Sequence, residues 1–263
     1  MSYVLSEKMK KQLQKMKKFV GEQDQDFIVV VTGYEGLGKS TLALEMCNEW
    51  DPEFSEQKIT FHPKNFRKTV INSKFPDAVM LDEGAFSFFS RNAMSGDVKK
   101  NVQLLTACRK YNLMIIICVP DFFILDKYLR EHRVRAVVRV TKRGRFQVFN
   151  FKNLQRIEKK KGKIKYPKAS FAGSFGKMTG EIWKRYNAKK DRALLESEEV
   201  DKKKRRPTKR DLIEKYLKKD PEVSNRVLAS VFDTPLRYIQ QIRSETSLTT
   251  SPRLSMSREA NSE

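Results

Sequence analysis

Two short stretches carry the residues whose types and spacing suit chemistry. The run Gly33-Tyr34-Glu35-Gly36-Leu37-Gly38-Lys39-Ser40, followed by Thr41, fits G-x-x-x-x-G-K-[ST], a loop whose backbone amides cradle phosphate groups. Its glycines let the backbone approach phosphate without a Cβ in the way. Lys39 would reach the β- and γ-phosphates, and the Ser40 hydroxyl would sit on Mg²⁺. The second stretch, Val79-Met80-Leu81-Asp82-Glu83, is an apolar run ending in two acids. Asp82 at a strand end would hold the same cation through water, and Glu83 beside it would polarise an attacking water as general base. A small-molecule kinase needs no such second carboxylate, because its acceptor substrate is the nucleophile. The pair therefore tilts the reading towards hydrolysis of a nucleoside triphosphate. No guanine-reading Asn-Lys-x-Asp run is present, which favours ATP.

These residues need elements to position them. Phe27 to Val31 is a short apolar, β-branched run that reads as a buried strand, and Thr41 to Met46 reads as the start of a helix. A strand, a Gly-rich turn and a helix N-terminus together form an anion site. Downstream, strands are expected at Lys58–Phe61, Ala78–Leu81, Leu113–Val119, Val134–Val140 and Phe146–Phe151. Helices are expected at Pro63–Ser73, 97–111 and Asp121–Arg130. Strands alternating with helices imply an α/β fold with a mostly parallel sheet covered by helices.

The chain has 263 residues and a formal net charge of +22, unevenly spread. Residues 1–138 carry +4, residues 139–206 carry +16 and residues 207–263 carry +2. A basic excess placed just after a nucleotide-binding core is the electrostatic footprint of a nucleic-acid binder. Arg143 and Arg145 on a hairpin tip, and Lys204 and Arg205 in a lysine-rich run, are the expected DNA contacts. Residues 1–25 read as a basic amphipathic helix, with Leu5, Met9, Leu13, Met16 and Val20 on one stripe. That helix is expected to pack on the core or on a neighbouring subunit rather than on a membrane. Residues 26–155 read as the nucleotide-binding domain and 156–207 as a basic, partly disordered linker. Phe171, Phe175 and Trp183 in that linker would either stack on bases or pin it to the core. Residues 208–246 read as a small all-α, helix-turn-helix-like domain, with Ser224 capping its second helix. Arg237, Gln240 and Arg243 on the third helix suit phosphates and base edges. Residues 247–263 read as a disordered tail. Cys47, Cys108 and Cys118 lie in apolar stretches and read as reduced core residues of a cytoplasmic protein.

Taken together, Gly33–Thr41, Leu81-Asp82-Glu83, Arg109-Lys110-Tyr111-Asn112-Leu113 and Pro120 to Arg130 resemble the P-loop ATPases of the zonular occludens toxin type. These belong with the FtsK–HerA DNA-translocating and viral packaging ATPases. In that class a strand corresponding to Leu113–Val119 inserts between the phosphate-loop strand and the Asp-Glu strand. Asp121 is the nearest polar residue at its end, where the group commonly has Gln. The resemblance implies an oligomeric ATPase, with a ring as one form, that moves or packages DNA in a virus, phage or mobile element. It would act in the host cytoplasm or on the virion, with capsid or portal protein as a partner. It also implies an arginine that stabilises transition-state charge, supplied by a neighbouring subunit. Arg91 and Arg130 are the favoured residues for that role over Arg109 and Arg133. Three other readings stay open from sequence: an ATP-switched DNA-binding protein without translocation, a nucleotide or nucleoside kinase, and a structural or membrane-associated assembly protein using the N-terminal amphipathic helix.

Overall fold

The computed structural model describes residues 5–82, 96–204 and 208–249. Its centre is a seven-stranded sheet of order β2-β3-β4-β1-β5-β6-β9. The strands are β1 (Phe27–Thr32), β2 (Ile59–Thr60), β3 (Ala78–Leu81), β4 (Met114–Val119), β5 (Val134–Lys142), β6 (Arg145–Asn150) and β9 (Phe171–Ser174). The first five in spatial order run parallel, and β6 and β9 extend the edge antiparallel. Strand β4 lies between β1 and β3, the insertion that the resemblance implies.

The central strands are uninterrupted apolar runs because both of their faces are covered. In β1, Val29 and Val31 enter one core while Ile28 and Val30 enter the other. In β4, Met114, Ile116 and Cys118 alternate in the same way with Ile115, Ile117 and Val119. Helices α1 (Glu7–Gln23) and α2 (Lys39–Trp50) close the first face. Phe66 and Val70 of α3 (Pro63–Asn72) and Leu105 of α4 (Gly96–Ala107) close the second. Helix α3 starts at Pro63, whose fixed φ suits the first helical position. The three cysteines are free and buried. Among the described residues, no helix is long and apolar enough to cross a membrane.

The stretch expected as a linker differs most from the reading. Residues 156–207 contain a small hairpin of β7 (Glu158–Lys160) and β8 (Lys163–Lys165), then β9, then α5 (Glu181–Lys204). The lysines of the hairpin stay solvated, as like charges should. Apolar residues spaced between them carry the fold. Ile157, Ile164 and Tyr166 join one core, and Phe171, Phe175, Met178 and Tyr186 join the other. Phe171, Phe175 and Trp183 therefore anchor this segment to the core. The expected boundary at 155 likewise gives way to a compact unit running to Leu195. The expected helix at Asp121–Arg130 is instead a single 3₁₀ turn at Phe122–Ile124 and a π turn at Leu129–Arg133.

Past the end of α5, the described residues of the second unit, which begins at Glu196, form α6 (Lys209–Lys219), α7 (Asn225–Val231) and α8 (Leu236–Thr249). Ile213, Leu217, Leu228, Ile239 and Ile242 form its core. Thr208 and Asp211 cap α6 reciprocally, and Ser224 Oγ accepts the Val227 amide at 3.3 Å to cap α7. Helix α8 runs to Thr249, into the stretch 247–263 expected as a disordered tail, and residues 250–263 lie outside the described residues.

Candidate active site

Strand β1 delivers the chain to Gly33, where φ is +144° and a Cβ would lie 2.6 Å from Val140 O. Only glycine allows β1 to leave the sheet this close to β5. Gly36 and Gly38 also take positive φ, and Gly38 stands at the N-cap of α2. The loop thus turns back on itself and opens at a helix N-terminus, where amides and dipole favour an anion. Lys39 Nζ donates to Tyr34 O at 3.1 Å, which folds its ammonium back over the loop.

Strand β3 brings Asp82 to the same place. The Ser40 hydroxyl donates to the Asp82 carboxylate, 3.0 Å from Oδ2 and 3.2 Å from Oδ1. Asp82 is only 2 % exposed, so its charge needs close partners. Two more come from α5: Tyr186 donates its hydroxyl to Oδ2, and Lys190 Nζ lies 3.8 Å from that oxygen. Burial, reinforced by the Asp82 charge, pushes the Tyr186 phenol well above its usual range and keeps it a donor. A hydroxyl and a carboxylate converging at a phosphate loop are hard oxygen donors, and the set suits a divalent cation such as Mg²⁺. Ser40 can donate its hydrogen to Asp82 while turning a lone pair to the cation.

A cleft of about 1010 Å³ runs over these groups, lined by residues 35–41, Asp82, Pro120, Arg143, Phe175, Trp183, Tyr186 and Lys190 among others. Sequence reasoning missed Tyr186 and Lys190, because no motif marks them and they fall in the stretch read as linker. The aromatic spacing Phe171, Phe175, Trp183, Tyr186 was the one available signal.

Glu83, Arg91 and Arg205 lie outside the described residues; Lys204 ends α5, and its side chain is likewise outside them. Arg130 is bound within its own loop: Nε donates to Leu125 O at 3.0 Å and the guanidinium covers the Phe123 ring. Arg133 is 1 % exposed and paired with Asp26, which removes it as an arginine offered to a neighbour. Asp121 is occupied by the Phe123 amide and Lys159. Arg143, expected on DNA, instead donates Nε to Gly36 O at 3.1 Å and lines the cleft. The close approach of Gly33 to β5 brings the hairpin tip onto the phosphate loop. Arg145 remains exposed at the start of β6. On α8, Arg237 and Gln240 are exposed, but Arg243 is a correction. Its three nitrogens donate to Asn225 Oδ1, Pro221 O and Val223 O, so it braces the α7 approach rather than facing a ligand.

Behind the loop, Glu45 on α2 is half-buried. Burial pushes its carboxyl up to about 7, opposed by the Gly176 amide. A raised carboxyl is stabilising only while protonated, so stability should fall as pH rises from about 4.5 to about 7. Glu45→Gln is expected to leave the melting temperature unchanged at pH 5. At pH 8 it should raise it by about 2–4 °C, the equivalent of about 1 kcal/mol once solvent screening is allowed for. Thermal melts at the two pH values check this.

The family model described as zonular occludens toxin (Zot) matches residues 53–181, from the end of α2 to the start of α5. No curated protein matches the sequence. Similar solved structures include the N-terminal domain of zonular occludens toxin from Neisseria meningitidis. It is 18% identical with a TM-score of 0.39, covering 61% of this chain and 98% of that one. Another is the genome packaging NTPase B204 from Sulfolobus turreted icosahedral virus 2 in complex with ATP-gammaS. It is 12% identical with a TM-score of 0.37, covering 48% of this chain and 92% of that one. Likenesses of this size leave the identification to the motif geometry and the family match. On its phosphate loop, its inserted strand β4 and that match, the chain is a P-loop NTPase that resembles the zonular occludens toxin family over residues 53–181.

Proposed function

We propose that this ATPase is Mg²⁺-dependent and couples ATP hydrolysis to the handling of DNA, as translocation, packaging or transfer, in a virus, phage or mobile element. The observation that carries the DNA part is the net charge of +16 on residues 139–206. The lysines of the β7–β8 hairpin in that stretch are exposed. In this reading the loop amides and Lys39 bind the phosphates, and Ser40 with Asp82 holds the cation. Bound Mg²⁺ would supply neutralisation of the phosphate charge. Glu83 draws the proton from the attacking water. An arginine from a neighbouring copy in an oligomer, Arg91 or Arg130, completes the charge balance. DNA follows Arg145 and the lysines beyond it, the protein acts in the host cytoplasm or on the virion, and capsid or portal protein is its partner.

The test is steady-state ATP hydrolysis with and without duplex DNA at increasing salt. Stimulation of several-fold that fades as salt rises is expected, because phosphate contacts release counterions. Turnover indifferent to DNA would remove the motor reading. A second reading, an ATP-switched DNA-binding protein, is favoured by the exposed Arg237, Tyr238, Gln240 and Gln241 on α8. It expects slow hydrolysis unaffected by DNA, together with a DNA affinity that changes when ATP binds.

A further inference from the structure

Helix α5 reaches the cation carboxylate, yet Tyr186 lies beyond the residues that the family model matches. Its hydroxyl donates to Asp82 Oδ2, while the Ser40 hydroxyl is shared between Oδ1 and Oδ2. Lys190, one helical turn on and so on the same face, approaches Oδ2 as well. Two groups of α5 thus converge on the same carboxylate oxygen.

The tyrosine is itself held firmly. It is 2 % exposed, stacks on Trp183 with ring centroids 5.3 Å apart, and lies 5.9 Å from the Phe61 ring. The neighbouring Lys189 latches the helix to the β2 end of the sheet, with Nζ donating to Glu56 O and Ile59 O at 2.6 Å each. Arg185 adds an ion pair to Glu56 at 3.5 Å. A donor on so rigid a support fixes the rotation of the carboxylate it binds. Partners of this kind, one step removed from the metal, set the orientation of ligating carboxylates.

We propose that Tyr186 is a positioning residue for the cation site, holding Asp82 Oδ2 and with it the rotation of the carboxylate that would hold the cation together with the Ser40 hydroxyl. The proposal rests on the Mg²⁺-ATPase reading above and extends it to a residue outside the phosphate-loop and Asp-Glu motifs. Tyr186→Phe keeps the ring and its stacking and removes only the donor.

The experiment uses the full chain with Mn²⁺ as the probe. Free Mn²⁺ is followed by electron paramagnetic resonance in the presence of ATPγS. In parallel, ATPγS affinity in EDTA and the metal-free melting temperature are measured. Tyr186→Phe is expected to weaken Mn²⁺ binding about 10-fold, the usual scale for loss of such a partner, with ATPγS affinity in EDTA unchanged. A purely structural role would instead lower the melting temperature and the EDTA affinity together and leave Mn²⁺ affinity intact, which overturns the proposal. Mn²⁺ affinity that is equal or tighter in Tyr186→Phe also overturns it, leaving the ATPase reading standing. Should the wild type itself bind no Mn²⁺ beside ATPγS, the metal reading and this proposal fall together.

Discussion

Glu83→Gln is expected to lower ATP turnover by about 10²- to 10⁴-fold, the contribution typical of a positioned general base. Nucleotide binding should survive, because the proposed reading assigns the phosphates to other groups, the amides of the Gly33–Lys39 turn and Lys39 at the start of α2. Glu83 follows Asp82 directly in the chain, and Asp82, just past the end of β3, accepts from the Ser40 and Tyr186 hydroxyls and pairs with Lys190. The amide variant keeps the size of the side chain and removes its basicity. Single-turnover hydrolysis and binding of a fluorescent ATP analogue, measured side by side, separate the two effects. Lys39→Ala makes the contrast, with loss of nucleotide binding and turnover together. If Glu83→Gln turns over like the wild type, the water-activating base lies elsewhere.

Asp26→Ala should be the most damaging stability change away from the cleft. Asp26 precedes β1 and pairs with Arg133 at the end of the π turn before β5; each side chain is 1 % exposed. Arg133 also donates Nε to Leu105 O at 2.7 Å, and Cys108 Sγ approaches Asp26 Oδ2 at 3.2 Å. The network ties the adjacent N-terminal ends of the parallel strands β1 and β5 to Leu105 of α4 and to Cys108 just after it. Removing the carboxylate leaves a guanidinium buried without its counter-charge, which costs about 3–5 kcal/mol. Replacing both partners by apolar residues of similar volume should cost far less, because the desolvation of both charges disappears as well. Urea unfolding of Asp26→Ala and of an Asp26→Leu/Arg133→Met pair tests this. Equal losses in the two proteins would mean that the packing, not the uncompensated charge, carries the effect.

Much of the α/β unit was legible from local pattern. The apolar runs at 27–31, 78–81 and 113–119 became β1, β3 and β4, because a strand covered on both faces must be apolar at every position. The phosphate loop was legible because only glycines tolerate Gly33, Gly36 and Gly38 at positive φ. Ser224 and Pro63 announced their helices through capping and fixed φ. All of these signals act within a few residues of one another.

What failed was contact over long sequence distances. Lysine runs concealed the strands and helix of 156–204, since charge density reports solvation and not the sparse aromatics that anchor a segment. Arg143 was legible as a basic hairpin tip, but not its bond to Gly36 O, which the folded β5–β6 hairpin supplies. Arg243 looked like a reader of bases until its guanidinium met the carbonyls of residues 221 and 223. Tyr186 meets Asp82 across 104 positions, and nothing in either neighbourhood foretells it. The sequence by itself determined a phosphate loop, a carboxylate strand and the sheet that carries them, because loop glycines and strand burial are local requirements. Only the tertiary structure decided which distant side chains complete the site, because a buried carboxylate takes its partners from whatever the fold packs beside it.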